Sequence, residues 1–266
     1  MSTGSGPTAP SDPTPATEPT EPTDPWDGAV LCGGRSSRMG RDKALLVVEG
    51  ETMVARVVRA LAQAGARRIV AVGGDLPGIR AALAEGPAVA LVADKTPDEG
   101  PLGGVLTALG SLDAPIVLVL ACDLVAPSSA AMAGTVAALA ADPAAHLAAP
   151  LTASGNLGTT RRKPRAPAEV SPGEGEEGEE DGEGEGGGQV EWLHAAWRRS
   201  ARQVLADRFA AGERAIHRAV ADRRLVLRPV SGVDPGSLAD ADTPADLRPR
   251  GHYGAPHGPR RSRDRR

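Results

Sequence analysis

The sequence from Leu31 to Lys43 reads LCGGRSSRMGRDK, and it follows directly on a short apolar run that begins at Ala29. A strand that enters two adjacent glycines lets backbone N–H groups approach an anion without obstruction by Cβ atoms. Arg38 and Lys43 bring two cations to the same loop, and its serines add hydroxyl donors. The stretch therefore predicts a phosphate-binding loop at the carboxyl end of a strand, where α/β proteins bind their ligands.

The two common phosphate-loop patterns do not fit this stretch. After Gly34 the next glycine is Gly40, which is not followed by Lys-Ser/Thr, and Gly33, Gly34 and Gly40 do not make a G-x-G-x-x-G pattern. The chain has only three lysines among its 30 basic residues, so a lysine in this loop indicates that a compact positive charge is needed there. The alternative interpretation is a glycine-rich β-turn followed by a solvated basic patch.

Apolar runs and helical stripes alternate on both sides of the loop. The expected strands are Ala29 to Leu31, Ile69 to Val72, Val89 to Val92, Ile116 to Leu120, His146 to Leu151 and Leu225 to Val230. The expected helices are one capped by Thr52, one around Ile79, one after Pro101, and three at Ser128 to Ala141, Ala195 to Phe209 and Glu213 to Ala221. This alternation predicts a three-layer, Rossmann-like α/β fold with a mainly parallel sheet. Aromatic residues are 2% of the chain, so its core must be aliphatic.

Composition divides the chain into one domain and three biased segments. Residues 1–25 form a Pro/Thr-rich leader, residues 154–188 an acidic Glu/Gly insertion, and residues 249–266 a basic tail. We expect these segments to be disordered, because they cannot bury a core. The domain then extends over residues 26–248 and is interrupted by the insertion.

Charge and cysteine content limit the partners and the compartment. The net charge of -4 provides no overall field for nucleic acid or an anionic membrane, so neither is an expected partner. No apolar run is long enough to span a bilayer, and the N-terminus lacks the features of a signal peptide. Two cysteines without a C-x-x-C pattern fit a reducing compartment, so we expect a cytoplasmic protein.

A second group of candidate residues follows the other strands. Asp123 comes directly after the longest aliphatic run, where a carboxylate facing a phosphate loop is a reasonable Mg²⁺ ligand. The alternative is an aspartate in a turn that leads to the helix at Ser128. Gly103 and Gly104 weaken the start of the helix after Pro101, which indicates either a close approach by a ligand or a packing requirement.

The first motif resembles a known family. LCGGRSSRMGRDK is similar to the L-A-G-G-x-S-x-R-M-G-x-D-K motif of the molybdenum cofactor guanylyltransferases, which are MobA-like nucleotidyltransferases, with Cys32 in place of alanine. The resemblance implies that Lys43 contacts the nucleotide phosphates and that Arg38 holds the triphosphate. It also implies that the backbone of the loop meets the nucleotide at Leu31, Cys32, Gly33 and Gly34.

Weaker motifs extend the resemblance along the chain. Asp123 matches the metal-binding aspartate of a Cys-Asp-x-Pro motif, although Val125 replaces the proline. Asp94 aligns with a residue that contacts the guanosine, and Gly73 with a residue on the base side. Asp242 lies in an ending similar to that of the family and is a second candidate metal ligand, or alternatively a helix start. The segment from Glu191 to Arg199 resembles one on the acceptor side.

The implied activity is transfer of GMP from GTP to the terminal phosphate of molybdenum-molybdopterin, with release of pyrophosphate. Mg²⁺ would be the cofactor, and Arg38, Lys43 and Asp123 would be the catalytic residues. The implied partners are GTP, molybdenum-molybdopterin, and transiently molybdoenzymes or other proteins of cofactor biosynthesis. Two alternatives remain: a cytidylyltransferase or another nucleotidyltransferase with a different phosphorylated acceptor, and a non-catalytic module that binds nucleotide or delivers cofactor.

Overall fold

The computed structural model describes residues 25–33, 42–152 and 189–241 of the chain. Its strands are β1 (Trp26–Leu31), β2 (Val47–Val48), β3 (Glu51–Thr52), β4 (Ile69–Val72), β5 (Val89–Val92), β6 (Ile116–Ala121), β7 (Leu147–Thr152), β8 (Gln189–Val190), β9 (His194–Arg198) and β10 (Leu227–Val230). Its α-helices are α1 (Met53–Gln63), α2 (Leu76–Ala82), α3 (Pro101–Ser111), α4 (Ser129–Ala140), α5 (Ala201–Ala210) and α6 (Ile216–Ala219). Two 3₁₀ turns occupy Lys43–Leu45 and Pro235–Leu238.

One large mixed sheet organises the molecule. Its strand order is β10-β7-β9-β6-β1-β4-β5, and β8 pairs with β7. Strand β1 runs parallel to β4 and β6, β5 runs parallel to β4, and β10 runs parallel to β7. Strand β9 runs antiparallel between β6 and β7. The predicted α/β fold with a mainly parallel sheet is therefore confirmed.

Helices cover both faces of the sheet and complete three layers. The first core contains residues of α1, α2 and α4, and the second contains residues of α3, α5 and α6. The stripe predicted for α1 is fully buried at Val54, Val57, Val58 and Leu61. Burial of each such side chain stabilises the fold by about 1.5–3 kcal/mol.

The structure corrects two predictions of local structure. The segment predicted as a helix at Ala195 to Phe209 begins as strand β9, and α5 starts only at Ala201. Its apolar residues fill the gap between β6 and β7, so pairing with two strands overrides the helical pattern. Thr52 does occupy the N-cap position of α1, but its side chain makes no capping hydrogen bond, and its backbone pairs with Val47 in a small hairpin.

Two contacts lie at opposite ends of the strands of the sheet. The fully buried Asp27, near the start of β1, accepts hydrogen bonds from Arg67 Nε and the Ala114 amide, both at 3.1 Å. At the carboxyl end of β7, Thr152 pairs with Gln189 of β8, and its hydroxyl donates to the Gln189 carbonyl at 3.1 Å. The chain between these two paired residues includes the predicted insertion. That insertion, the tail, and the leader apart from Pro25 lie outside the described residues.

Candidate active site

The described candidate residues gather at the carboxyl ends of β1, β4, β5 and β6. The chain runs from β1 outwards to β4 and β5, and then returns to the opposite side of β1 as β6. In open α/β sheets, ligands bind at such a reversal, beyond the carboxyl ends of the strands. Leu31 and Ala121 lie side by side at the ends of β1 and β6, so the residues that follow them flank this position.

Lys43 and Asp123 meet at this reversal, although 80 residues separate them in sequence. Nζ of Lys43 donates to Oδ2 of Asp123 at 3.0 Å, and the two side chains are 21% and 17% exposed. Both groups are thus partly open to a ligand. A cation here can meet a phosphate oxygen, and a carboxylate can meet a magnesium ion.

Asp42 positions Lys43, a role that the sequence analysis missed. Its Oδ1 accepts from the Ala44 amide at 3.0 Å and caps the 3₁₀ turn that carries Lys43. Its Oδ2 accepts from the Asp75 amide at 2.7 Å and so joins the turn to the start of α2. The sequence does hold a signal, because an aspartate directly before a short helical turn is a typical cap.

A glycine turn after β4 packs against the end of β1. Gly73 and Gly74 have φ values of 73° and 76°, which residues other than glycine rarely adopt. A Cβ atom on Gly73 would lie 3.3 Å from the backbone of Gly33, and one on Gly74 would lie 2.9 Å from the Cys32 carbonyl oxygen. The two turns therefore touch through backbone alone. Gly73 therefore lies beside the loop, and its role on the base side of a nucleotide stays a prediction.

Asp94 borders the same turn beyond β5. A Cβ atom on Gly33 would lie 3.9 Å from its Oδ2, so the carboxylate and the loop are neighbours. Its Oδ1 accepts from the Thr96 amide at 3.1 Å and from the Thr107 hydroxyl at 3.3 Å. Thr107, on α3, was not singled out from the sequence because nothing in its local pattern links it to residues far along the chain.

The two glycines at the start of α3 have a packing role. A Cβ atom on Gly103 would collide with Oγ1 of Thr96, and one on Gly104 would lie 3.2 Å from the Leu31 side chain. Both glycines let α3 approach the loop after β5 and the end of β1. This supports the packing interpretation of the weakened helix start.

The loop after β6 is held from the C-terminal side. Leu124 forms an antiparallel bridge with Asp240, the Val125 amide donates to the Ala239 carbonyl at 2.9 Å, and the Ala241 amide donates to the Asp123 carbonyl at 2.9 Å. Valine at position 125 supplies an N–H that a proline would lack. The departure from the family motif therefore adds a hydrogen bond to this loop.

The cysteine and histidine side chains near the site are held in their uncharged forms. A hydrogen bond with the Cys32 thiol, together with burial, raises the pKa of the Cys122 thiol well above its ordinary value. Burial lowers the pKa of His194 to about 4, and both of its ring nitrogens are buried with no hydrogen-bond partner in the described part of the chain. Neither side chain is charged at neutral pH. The arrangement favours electrostatic positioning of a substrate over covalent catalysis.

The residues present suit a magnesium ion that the substrate helps to hold. Within the described ranges no group of three or more His, Cys, Asp or Glu side chains could hold a metal by itself. Mg²⁺ commonly takes one or two carboxylates and completes its shell with phosphate oxygens and water. Asp123 is such a carboxylate. Burial raises the pKa of Glu191, and the charge of Asp240 raises it further, so this carboxyl is protonated more easily than usual.

An open hollow of about 400 Å³ lies beside β9. Its wall connects directly to the site, because the Ala121 amide, two residues before Asp123, donates to the Leu193 carbonyl at 3.0 Å. Arg218 is 63% exposed and pairs with Glu213 through Nε, while its two terminal nitrogens make no hydrogen bond to the described residues. The hollow is lined by Gly100, Pro101, Trp192, Leu193, Arg214, Ala215, Ile216, His217 and Arg218.

Three of the candidate residues cannot be located in this arrangement. Gly34, Arg38 and Asp242 lie outside the described residues. Their predicted roles in binding the phosphates and the metal therefore stay predictions. The described candidates Leu31, Cys32, Gly33, Gly73, Asp94, Lys43 and Asp123 all lie at one edge of the sheet.

The fold is that of the α/β nucleotidyltransferases. The chain covers 93% of 4-diphosphocytidyl-2C-methyl-D-erythritol synthase from Anaerococcus prevotii with a TM-score of 0.61 at 14% identity, using 84% of its own length. It covers 94% of molybdopterin-guanine dinucleotide biosynthesis protein A from Archaeoglobus fulgidus with a TM-score of 0.56 at 18% identity, using 83% of its own length. At these identities the likeness concerns the fold alone.

The sequence assigns the chain to one family within this class. Residues 28–225 match the family described as MobA-like NTP transferase domain, and the chain belongs to that family. It is 40% identical over 100 residues to molybdenum cofactor guanylyltransferase of Xanthomonas euvesicatoria, a match that spans 37% of this chain and 47% of the relative. It is 43% identical over 108 residues to a probable enzyme of the same name from Opitutus terrae, spanning 39% and 50%. The matches thus span about half the length of these relatives.

No helix within the described ranges is long and apolar enough to cross a membrane.

Proposed function

We propose that this chain transfers GMP from GTP to the terminal phosphate of molybdenum-molybdopterin and releases pyrophosphate. The ion pair of Lys43 with Asp123 at the reversal of the sheet is the observation that carries this proposal. Membership of the MobA-like family and the partial likeness to molybdenum cofactor guanylyltransferases support the choice of donor and acceptor.

The reaction needs positioning and charge neutralisation more than a protein nucleophile. An oxygen of the acceptor phosphate attacks the α-phosphorus of GTP, and the bond from that phosphorus to the β-phosphate breaks as pyrophosphate leaves. Phosphate monoesters are largely dianionic at neutral pH, so the attack requires no general base. This agrees with a site in which the Cys122 thiol and the His194 ring are both uncharged.

Each residue of the site then has a defined task. Lys43 balances the charge that develops on the phosphoryl group and on the departing pyrophosphate. Asp123 would hold Mg²⁺ against the triphosphate, where the ion supplies further charge neutralisation. The backbone at Gly33 approaches the nucleotide, and Asp94 and Gly73 border the guanosine side. Arg38 and Asp242 would complete the triphosphate and metal contacts.

The hollow beside β9 is the candidate binding site for the acceptor. Trp192 and Leu193 provide apolar surface for a planar ring system, and the terminal nitrogens of Arg218 provide donors for an anion. Leu193 connects this wall to the strand that leads to Asp123. Release of the finished cofactor would involve transient contact with molybdoenzymes or other proteins of cofactor biosynthesis.

The proposal is tested by product analysis. The protein is incubated with molybdenum-molybdopterin, Mg²⁺ and each of the four nucleoside triphosphates, and the product is identified by mass while pyrophosphate is measured. We expect a guanine dinucleotide form of the cofactor only with GTP. A cytosine product would identify a cytidylyltransferase, and nucleotide binding without pyrophosphate release would identify a non-catalytic module.

Variants then connect the activity to the ion pair. Lys43→Met and Asp123→Asn should each lower kcat by about 10²–10³-fold, because each removes charge stabilisation from the reacting phosphates. Lys95→Met is the matched control, since Lys95 is exposed and its hydrogen bond to Thr107 is made by the backbone amide. Near-normal turnover in both site variants would exclude this arrangement.

A further inference from the structure

The two segments that carry Lys43 and Asp123 are also joined by a third residue. After Lys43 the chain continues into the hairpin of β2 and β3, and after Asp123 it continues to Val125. Arg56 on α1 reaches both segments. Its Nη1 donates to the Val48 carbonyl at 3.3 Å, and its Nη2 donates to the Val125 carbonyl at 3.0 Å.

The Arg56 side chain is held firmly in this bridging position. It is 14% exposed, and Nη1 also pairs with Glu49 Oε2 at 3.1 Å, at the turn of the hairpin. Nε is buried and has no hydrogen-bond partner among the residues that the structure describes. An arginine that is withdrawn from water and left partly unsatisfied costs stability, so packing alone is a poor reason for its presence. Its rigid planar fork does, however, set the spacing between the two carbonyl groups.

A fixed spacing matters when the substrate arrives. In the proposed reaction Lys43 turns to the phosphates and Asp123 to the magnesium ion, so their ion pair must open. The hydrogen bonds of Arg56 go to backbone carbonyls and need not change. The hydrogen bonds between residues 239–241 and the loop after β6 also join backbone atoms, so they need not change either.

We propose that Arg56 is a positioning residue that keeps the Lys43 and Asp123 segments in register after their ion pair opens. The proposal rests on the proposed function for its catalytic consequence, but the mechanical link can be measured without it. The hydrogen bonds of Arg56 go to Val48, Glu49 and Val125 rather than to Lys43 or Asp123, so it would act through the Val48 and Val125 carbonyls.

Three variants test the link. Arg56→Met removes both bridging bonds, and Arg56→Lys keeps a charge but loses the fork. Arg59→Met is the matched control, because Arg59 lies one turn further along α1 and pairs through two bonds, at 3.1 and 2.9 Å, with Glu51 of the same hairpin. Among the described residues, Arg59 makes no hydrogen bond or ion pair with the loop after β6.

The first measurement is amide hydrogen exchange in the ligand-free protein. In Arg56→Met we expect exchange of the Val125 and Ala241 amides to become about tenfold faster or more, because a charged donor to this loop has been lost. Arg56→Lys should give an intermediate rate, and Arg59→Met should leave both amides unchanged. Unchanged exchange in Arg56→Met would overturn the proposal, whether or not the protein transfers GMP.

The second measurement separates kcat from KM. Misplacement of a reacting group by about 1 Å can lower the rate about 10²-fold, so kcat should fall by about 10- to 100-fold in Arg56→Met while KM for GTP changes little. The Mg²⁺ concentration for half-maximal activity should rise. If kcat stays normal, or if Arg59→Met loses as much activity, Arg56 has no positioning role. Should Arg56→Met not fold, Arg56→Lys carries the same two measurements.

Discussion

Substitution of Gly74 by alanine should damage both the fold and the site. The new Cβ would lie 2.8 Å from Asp42 Oδ2, 2.9 Å from the Cys32 carbonyl oxygen and 3.0 Å from Ile79 Cδ1. Left-handed backbone costs a non-glycine residue about 1–2 kcal/mol, and overpacking of a tight site costs about 1–3 kcal/mol more. Loss of flexibility in the unfolded chain returns about 0.4–1 kcal/mol. The expected loss in free energy of unfolding is therefore about 1–5 kcal/mol.

Gly50 provides the control for this experiment. Its φ of 87° is similar, but a Cβ atom there would meet nothing within 4 Å. The free energy of unfolding of Gly50→Ala should therefore fall only by the cost of the left-handed backbone, about 1 kcal/mol. Urea unfolding of both variants at 25 °C measures the difference. GTP affinity should also fall in Gly74→Ala, because Asp42 must move and it caps the turn that carries Lys43.

The comparison can refute the reasoning directly. If the two alanine variants lose the same free energy of unfolding, the contacts of the Gly74 position are not restrictive. If Gly74→Ala is destabilised but binds GTP normally, the turn is structural and does not control the nucleotide site.

Two further predictions concern buried ionisable groups. Asp27→Asn should destabilise the protein more than Asp222→Asn, because Asp27 is fully buried and bound to Arg67 and a backbone amide. The GTP affinity of the folded fraction should be unchanged. Equal losses in free energy of unfolding, measured in urea, would contradict this prediction. The lowered pKa of His194, about 4 against an unfolded value near 6.5, means that the unfolded chain binds a proton first as the pH falls. The free energy of unfolding should therefore keep the whole contribution of neutral His194 above about pH 6.5, and it should fall by roughly 3 kcal/mol towards pH 4. Urea unfolding of His194→Leu at successive pH values should lack this dependence on pH.

The local spacing of apolar residues was sufficient to predict most of the helices and strands. The stripe of α1 and the aliphatic runs of β4, β5 and β6 lie where the sequence predicted them. The segment after residue 194 was predicted wrongly because a short run of Ala and Trp fits either a helix or a buried strand. Only its pairing with both β6 and β7 decides between them, and such pairing leaves no local trace in the sequence.

The site shows the same division between local and distant information. Lys43 and Asp123 could be predicted to meet because both follow strands that end at one edge of a parallel sheet. Arg56 and Thr107 could not, since each acts through a hydrogen bond to a residue that is distant in sequence. The capping role of Asp42 could have been predicted, because the residue directly precedes a helical turn. The surrounding positive charges instead indicated phosphate binding for the whole segment.

The pairing of Thr152 with Gln189 has a consequence for how this protein can vary. Thr152 and Gln189 lie opposite each other in paired strands, so the geometry at this junction does not depend on the number of residues between them. Doubling such a connection costs only about 0.6 kcal/mol of closure entropy. Extra sequence can therefore accumulate at this junction, or be replaced by a short turn, without changing the distance between the strands that border the catalytic edge.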